Sequence, residues 1–269
     1  MKKIIILTGD ECRHTYFRMR LSADKRFITL ASFCEGLEKS LTKKINDDKD
    51  ALEIEKLHVI ARNASENDFF GEAISLFPDN SNPIKIKKDE INNQEIVQKI
   101  VSLMPDLIIC YGSSLISSEL LEIYKDRFLN VHLGLSPYYR GSATNIWPLI
   151  NNEPYMIGAT FMFIDEGIDT GRIIHQIRPE IYLGDSPHSI GNRLIRKMTE
   201  VYAEIIVNFD KLSNEKQPKE KGRLYKIKEF DGFACENLYK TLQSDMLINH
   251  LKRVGEIKEP YIVKNKGLE

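Results

Sequence analysis

No run of apolar residues in this 269-residue chain approaches the roughly 20 needed to cross a bilayer as a helix. The opening M-K-K-I-I-I-L-T-G-D has a basic flank, but its apolar run is only Ile4 to Leu7. A secretory signal needs about 7–15 apolar residues, so the segment is expected to be a first strand and the protein cytoplasmic. Cysteine is sparse. Cys12, Cys34, Cys110 and Cys235 show no C-x-x-C spacing, which excludes a disulfide framework and a thiolate zinc site and leaves reduced thiols. An excess of either charge is missing too, since 38 basic residues meet 39 acidic ones. No global field therefore draws the chain to nucleic acid or to an anionic membrane. Neither a G-x-G-x-x-G dinucleotide fingerprint nor an internal repeat is present. What remains is 42% apolar and 29% charged, the balance of a folded protein with one large domain, or one domain and an appendage.

Short apolar runs alternate with helical patterns. Lys2–Leu7, Phe27–Ala31, His58–Ala61, Ile84–Ile86, Asp106–Cys110 and Phe128–Val131 are expected strands. Between them, Arg13–Leu21, Phe33–Lys44, Glu66–Leu76, Asn93–Leu103 and Ser117–Lys125 have helical composition. The alternation predicts an α/β, Rossmann-like fold, a mostly parallel twisted sheet with helices on both faces. Ile157–Ile164 and Arg172–Ile177 read as two further strands. Ser186 then caps a long helix with Pro187 at its first position, and Leu194, Ile195, Met198, Val201, Tyr202, Ile205, Ile206 and Phe209 keep helical spacing on a core face. The expected organisation is a catalytic domain over 1–211, a linker over 212–222 and a small extension over 223–269.

The most definite chemistry lies in N-V-H-L-G-L-S-P-Y-Y-R-G, Asn130 to Gly141. In an extended segment Asn130 and His132 point to the same side. In a parallel sheet they fall at the carboxyl end of a strand, where ligands sit. A lone histidine there is more often structural, but an amide and an imidazole together can meet a developing oxyanion while a carboxylate orients the ring. Asp165, Glu166 and Asp169 are the candidate acids, and the residues alone do not choose among them. Asp169 between Gly167 and Gly171 also suits a plain turn.

The run from Asn130 to Gly141, followed by G-A-T-F-M-F-I-D-E-G-I-D-T-G from Gly158, resembles the formyltransferase family that uses 10-formyltetrahydrofolate. That family typically shows N-x-H-P-S-L-L-P-x-Y-R-G and then G-[VT]-[ST]-x-x-x-[VM]-D-x-G-x-D-T-G. Likeness continues upstream through Cys110, Tyr111, Gly112, Leu115, Ile116, Leu120 and Leu121, and spans Lys2 to Asp210. The resemblance implies a catalytic trio of Asn130, His132 and Asp169. It implies that Tyr111, Gly112, Ser113, Leu115 and Ile116, with Asp165, Glu166, Gly167 and Ile168, enclose the donor 10-formyltetrahydrofolate. It places Thr160 at a position that lines the site. Leu133 and Gly134 stand where the family has Pro-Ser, and Ser136 where it has Leu, which puts substrate fit in question and leaves the trio intact. No metal is required, and His14, His58, His175, His188 and His250 are too scattered to suggest one.

The acceptor is expected to be a small-molecule primary amine. S-A-T-N-I-W-P, Ser142 to Pro148, is similar to an A-D-P-N-F-W-S element of sugar N-formyltransferases, and Gly222–Phe230 resembles a segment that follows their core. These favour an amino sugar on a nucleotide, with Arg140, Asn145 and Trp147 contacting it. Glycinamide ribonucleotide, an amino-acid side-chain amine and methionyl-tRNA are the other acceptors, and a hydrolase releasing formate or a folate-binding module is a different class of answer. The segment after Gly222 is short for a tRNA-binding domain, and Lys219, Lys221, Arg223, Lys226 and Lys228, mixed with Glu220 and Glu229, read as a solvated surface. Arg13 and His14 at a helix start could hold an acceptor phosphate, an arrangement opposed by Asp10 and Glu11. A homodimer is compatible with all of these readings.

Overall fold

Ile4, Ile5, Ile6 and Leu7 are wholly buried, as a strand covered on both faces requires. In the computed structural model, which describes residues 1–218 and 222–268, they form β1 (Lys3–Thr8) at the middle of a seven-stranded sheet. Alternate residues feed two separate cores, because successive side chains of a strand point to opposite faces. Ile4 and Ile6 join Phe17, Met198 and Tyr202 on one face, whereas Ile5 and Leu7 join Val97, Ile100 and Leu120 on the other.

The strands β2 (Ile28–Glu35), β3 (Pro83–Ile86), β4 (Leu107–Tyr111) and β5 (Phe128–His132) run parallel to β1, in the order β3-β2-β1-β4-β5. The crossovers carry α1 (Cys12–Ser22), α2 (Leu41–Asp47), α3 (Glu53–Leu76), α4 (Gln94–Ser102) and α5 (Ser118–Ile123). Beyond β5 the chain forms β6 (Tyr139–Gly141) and the single-turn α6 (Trp147–Ile150). It then adds β7 (Ala159–Phe163) and β8 (Ile173–Ile177) antiparallel at the sheet edge. The sheet is therefore mixed and mostly parallel, with helices on both faces.

The long helix α7 (Pro187–Asn208) starts as its sequence predicts. Ser186 accepts the Ser189 N–H at 3.0 Å, and Leu194, Ile195, Met198, Tyr202, Ile205 and Ile206 are buried. After it, β9 (Arg223–Tyr225) pairs in parallel with β6. The helices α8 (Gly232–Gln243) and α9 (Met246–Lys252) follow, sending Leu238, Met246 and Leu247 into the main core. Farther on, Val263 exchanges hydrogen bonds with Gln176 of β8, and Glu215 bridges Ile173, so both segments cover the sheet's edge strand.

Two expected elements differ. His58–Ala61 is helix, not strand: it lies inside α3, where His58, Val59, Glu66 and Phe70 make the buried stripe and a 24-residue helix overrides a local β-branched run. The helix expected over Phe33–Lys44 is strand at its start, because Phe33 and Cys34 are wholly buried between β1 and β3. Its helical part begins only after Ser40, whose hydroxyl caps Lys43 N–H at 3.1 Å. Among the described residues no helix is long and apolar enough to cross a membrane.

Candidate functional site

Asn130 and His132 occupy alternate positions of β5, held between Cys110 of β4 and Met162 and Thr160 of β7. Asn130 is half-buried, and among the described residues none hydrogen-bonds its side-chain amide. His132 is 8% exposed and gripped on both sides. Its Nε2 lies 3.0 Å from the Tyr139 carbonyl oxygen and 3.2 Å from Thr144 Oγ1, and its Nδ1 lies 3.3 Å from Asp169 Oδ2. A carbonyl can only accept, so Nε2 carries a proton, and Nδ1 is the nitrogen left to exchange one with the carboxylate.

Asp169 reaches the ring by a reversal of the chain. Ile164 N–H still pairs with the Phe128 carbonyl, but the loop then turns back and brings Asp169 to His132, four residues farther along β5. Asp169 has φ +52°, in the left-handed region, and its carboxylate accepts the Gly141 N–H at 2.8 Å. Asp165 has a different task. Its Oδ1 accepts from Gly167 N–H at 3.0 Å and Thr170 Oγ1 at 2.7 Å, so this carboxylate closes its own loop. Glu166, Gly167 and Ile168 are exposed on the same loop. Of the three candidate acids, Asp169 is the one that touches the imidazole.

The Tyr111–Ile116 segment leaves the end of β4. Tyr111 itself turns into the core, its ring edge-on to His14 and Phe17, so its side chain is committed to packing. Gly112 adopts φ +73°, where a Cβ would also strike the His14 ring at 2.5 Å. Ser113 and Ile116 are half-buried, and Leu115 is 75% exposed. The segment is strapped from the neighbouring crossover. Buried Glu35 accepts the Ser114 N–H at 2.6 Å, and Asn92 bonds both Leu115 O and Ser117 N–H at 2.8 Å.

Three acceptor-side expectations change. Thr160 lines no opening: it is wholly buried, with its hydroxyl given to Gly134 O at 2.7 Å and taken by Ser136 N–H and Gln176 Nε2. It braces the loop after β5 from behind. Trp147 is 7% exposed, stacked on Tyr225 at 4.6 Å and edge-on to Phe230, so its ring packs a small core and presents no free face. Arg13 is no anion receptor. It pairs with Glu11 and with Glu66 at 2.6 Å, and Arg62 joins the same two acids. Arg140 remains at the rim, donating to Ile168 O at 3.4 Å and Gly222 O at 3.3 Å, with no carboxylate partner among the described residues. Asn145 is half-buried beside Gly191 of α7. In the mixed-charge run expected to be a solvated surface, Arg223 pairs with Glu229 at 2.7 Å, while Lys219, Glu220 and Lys221 lie outside the described residues.

Most of the residues that sequence reasoning missed act through backbone, and Thr144 and Gln217 act through side chains. Tyr139 contributes a carbonyl, Gly141 an amide, and Gly134 a missing Cβ that would meet His132 Nε2 at 2.4 Å. Gln217 donates to the carbonyls of Asp169 and Gly171 at 2.9 and 2.8 Å. Two surface clefts of about 380 and 310 Å³, around Asp106, Phe209 and Asp210 and around Arg172 and Phe209, open at the amino ends of the central strands, away from this constellation.

A family model described as Formyl transferase matches residues 46–206. A methionyl-tRNA formyltransferase of Thermodesulfovibrio yellowstonii is 36% identical over 121 residues, 44% of this chain and 37% of that protein. The chain thus spans well under half the length of that relative. Among solved structures, a sugar N-formyltransferase from Shewanella aligns over 91% of this chain and 89% of its own, with TM-score 0.58 and 18% identity. A formyltransferase from Anoxybacillus kamchatkensis, solved with UDP-4,6-dideoxy-4-formamido-L-AltNAc and tetrahydrofolate, aligns over 90% of this chain and 100% of its own, with TM-score 0.50 and 19% identity. At these identities the structural likeness establishes a shared fold.

Proposed function

The chain belongs to the formyl transferase family, and from that premise we propose that it moves a formyl group from 10-formyltetrahydrofolate to a primary amine, with an amino sugar on a nucleotide as the acceptor. The observation that carries the reading is the line Asn130, His132, Asp169 at the end of β5, with an uncommitted amide beside a histidine whose Nδ1 faces a carboxylate. Attack of the neutral amine on the formyl carbon gives a tetrahedral centre with an oxyanion and an ammonium. The free amide of Asn130 donates to that oxygen. His132 Nδ1 faces Asp169, so the ring holds that carboxylate in place and shares its proton. Asp169 draws the ammonium proton away, and the His132–Asp169 pair returns a proton to the folate nitrogen as its bond to the formyl carbon breaks. One proton leaves the amine and one reaches the departing nitrogen, so the transfer needs no metal in this scheme.

In this proposal the donor lies between the 111–116 and 165–171 segments. Leu115, 75% exposed, and Ile168, 44% exposed, offer apolar cover to a flat heteroaromatic ring. Residues 1–211 form the catalytic part of this proposal, and 223–268 back the acceptor side through the β6–β9 pairing. Supporting the sugar nucleotide are the Ser142–Pro148 and Gly222–Phe230 resemblances and a fold likeness that runs into the extension. Arg140, bonded only to carbonyls among the described residues, adds a charge suited to a phosphate. The methionyl-tRNA relatives support the second reading, a formylated aminoacyl-tRNA.

The test is tetrahydrofolate release from 10-formyltetrahydrofolate with a panel of amines: nucleotide-linked 3- and 4-amino-deoxy sugars, glycinamide ribonucleotide, ornithine-type amines and methionyl-tRNA. Release confined to one sugar nucleotide supports the proposal. Release with another amine keeps the chemistry and moves the acceptor, and amine-independent formate production overturns the transferase reading in favour of a hydrolase.

A further inference from the structure

We infer that Gln217 is the positioning residue that sets the Asp169 turn for catalysis, an inference that rests on the formyl-transfer reading of the site. Asp169 occupies the left-handed region at φ +52°, a conformation that is unfavourable for a non-glycine residue and persists only where its surroundings hold it. Two contacts hold it. Gly141 N–H grips the side chain, and the single amide of Gln217 grips the backbone on both sides of Thr170, at Asp169 O and Gly171 O. Gly171 itself lies so close to β7 that a Cβ would meet Phe163 O at 1.8 Å, so the turn is pressed against the sheet on one side and clamped by Gln217 on another.

The clamp is itself fixed in place. Two residues before it, Glu215 exchanges both backbone hydrogen bonds with Ile173 at 2.8 Å, and Gly222 N–H donates to Pro137 O at 2.9 Å. Gln217 therefore joins the edge of the sheet to the loop that carries the acid. It lies in the segment between α7 and β9, beyond the residues matched by the family model. The chemistry calls for an amide. Two carbonyl oxygens need a neutral group with two N–H donors, and an ionised carboxylate of the same shape would face both with repulsion. Without the clamp the turn is free to relax, and Asp169 Oδ2 moves from its place beside His132 Nδ1.

The experiment compares wild type, Q217L and Q217E for kcat, donor KM and Tm, with the acceptor that supports release in the wild type. A displacement of about 1 Å in a catalytic group costs about 10²-fold, so Q217L is expected to lose about 10- to 100-fold in kcat while donor KM stays within about twofold. Q217E is expected to fall further at pH 8 and to recover toward Q217L as the pH is lowered, a trend that a purely structural role would not produce. If Q217L does not fold, Q217E, which keeps the volume, carries the same requirement on kcat and KM. Wild-type kcat in either folded variant overturns the assignment, as does a loss in which KM and Tm move in step with kcat. Wild-type turnover beside an indifferent Gln217 variant leaves the formyl-transfer reading standing. A wild type that turns over no amine overturns the reading and the assignment together.

Discussion

His132 shows how one side chain can be specified by atoms that no side-chain motif contains. Its Nε2 is anchored by the Tyr139 carbonyl and Thr144, its Nδ1 faces Asp169, and its ring is seated against the bare Cα of Gly134. Asn130 and His132 are legible as a pair, two apart on one strand, whereas the residues alone leave Asp165, Glu166 and Asp169 open and only the family resemblance singles out Asp169. The anchors are not legible, since any residue can supply a carbonyl. Two outcomes follow at this scale. His132→Ala is expected to cut kcat by about 10²–10³ while sparing donor affinity, the size found when one oxyanion donor or its equivalent is removed. Comparing steady-state turnover with equilibrium folate binding checks it, and a variant as fast as wild type removes His132 from the mechanism. Gly134→Ala acts indirectly. Its methyl would meet Nε2 at 2.4 Å and Tyr139 O at 2.7 Å, so the ring or the β6 entry must shift. A loss of about 10- to 100-fold in kcat, with about 1–3 kcal/mol of overpacking seen as a lower Tm, is expected.

Elements turn those contacts into a site. The parallel strands are legible as short apolar runs, β2 only as far as Ala31, and so is α7, from its cap and stripe. The small sheet of β6 and β9 escaped notice because three-residue strands carry no periodicity, and because its two halves are 84 residues apart at Tyr139 and Arg223. His58–Ala61 misled for the opposite reason: a short apolar run is compatible with strand or buried helix, and length decides. The β6–β9 pair has a mechanical role. Gly141, at φ +92°, passes so near β9 that a Cβ would meet Tyr225 O at 2.2 Å, and its N–H holds Asp169. Gly141→Ala is therefore expected to part the two strands and weaken the grip on the acid. The readout is a kcat drop at least as large as that of Gly134→Ala, with new amide-exchange at Ser142 N–H, which bonds Tyr225 O in the intact pair. Retained exchange protection together with full activity would remove this small sheet from the account of the site.

At the scale of the whole molecule, buried histidines are packed as neutral groups, and His58, His188 and His175 are three of them. His58 and His188 lie edge to face at 4.7 Å between α3 and α7, with Tyr239 of α8 bonded to His58 Nδ1 at 3.0 Å. Burial, together with the neighbouring histidine and Arg62, pushes His58 down to about 3, and burial beside Arg62 pushes His188 down to about 4. Burial likewise lowers His175 to about 4, at the edge strand where its Nδ1 accepts the Asn265 N–H. The unfolded chain takes up protons at these residues near pH 6.5, while the folded chain does so only near 4 and 3, so acid favours unfolding across that window. Stability at these sites is whole above about pH 7 and declines as the pH falls from 6.5, each unit of difference being worth about 1.4 kcal/mol. Because the pair joins α3, α7 and α8, the loss should release the C-terminal helices from the sheet domain. Tm measured by calorimetry from pH 7.5 to pH 5 is expected to fall steadily, and His188→Gln should flatten that slope by removing one of the titrating groups. A Tm unchanged down to pH 5 would mean that these rings accept protons without disturbing the packing, and the seam between α3, α7 and α8 would then owe its stability to Leu238 and its apolar neighbours alone.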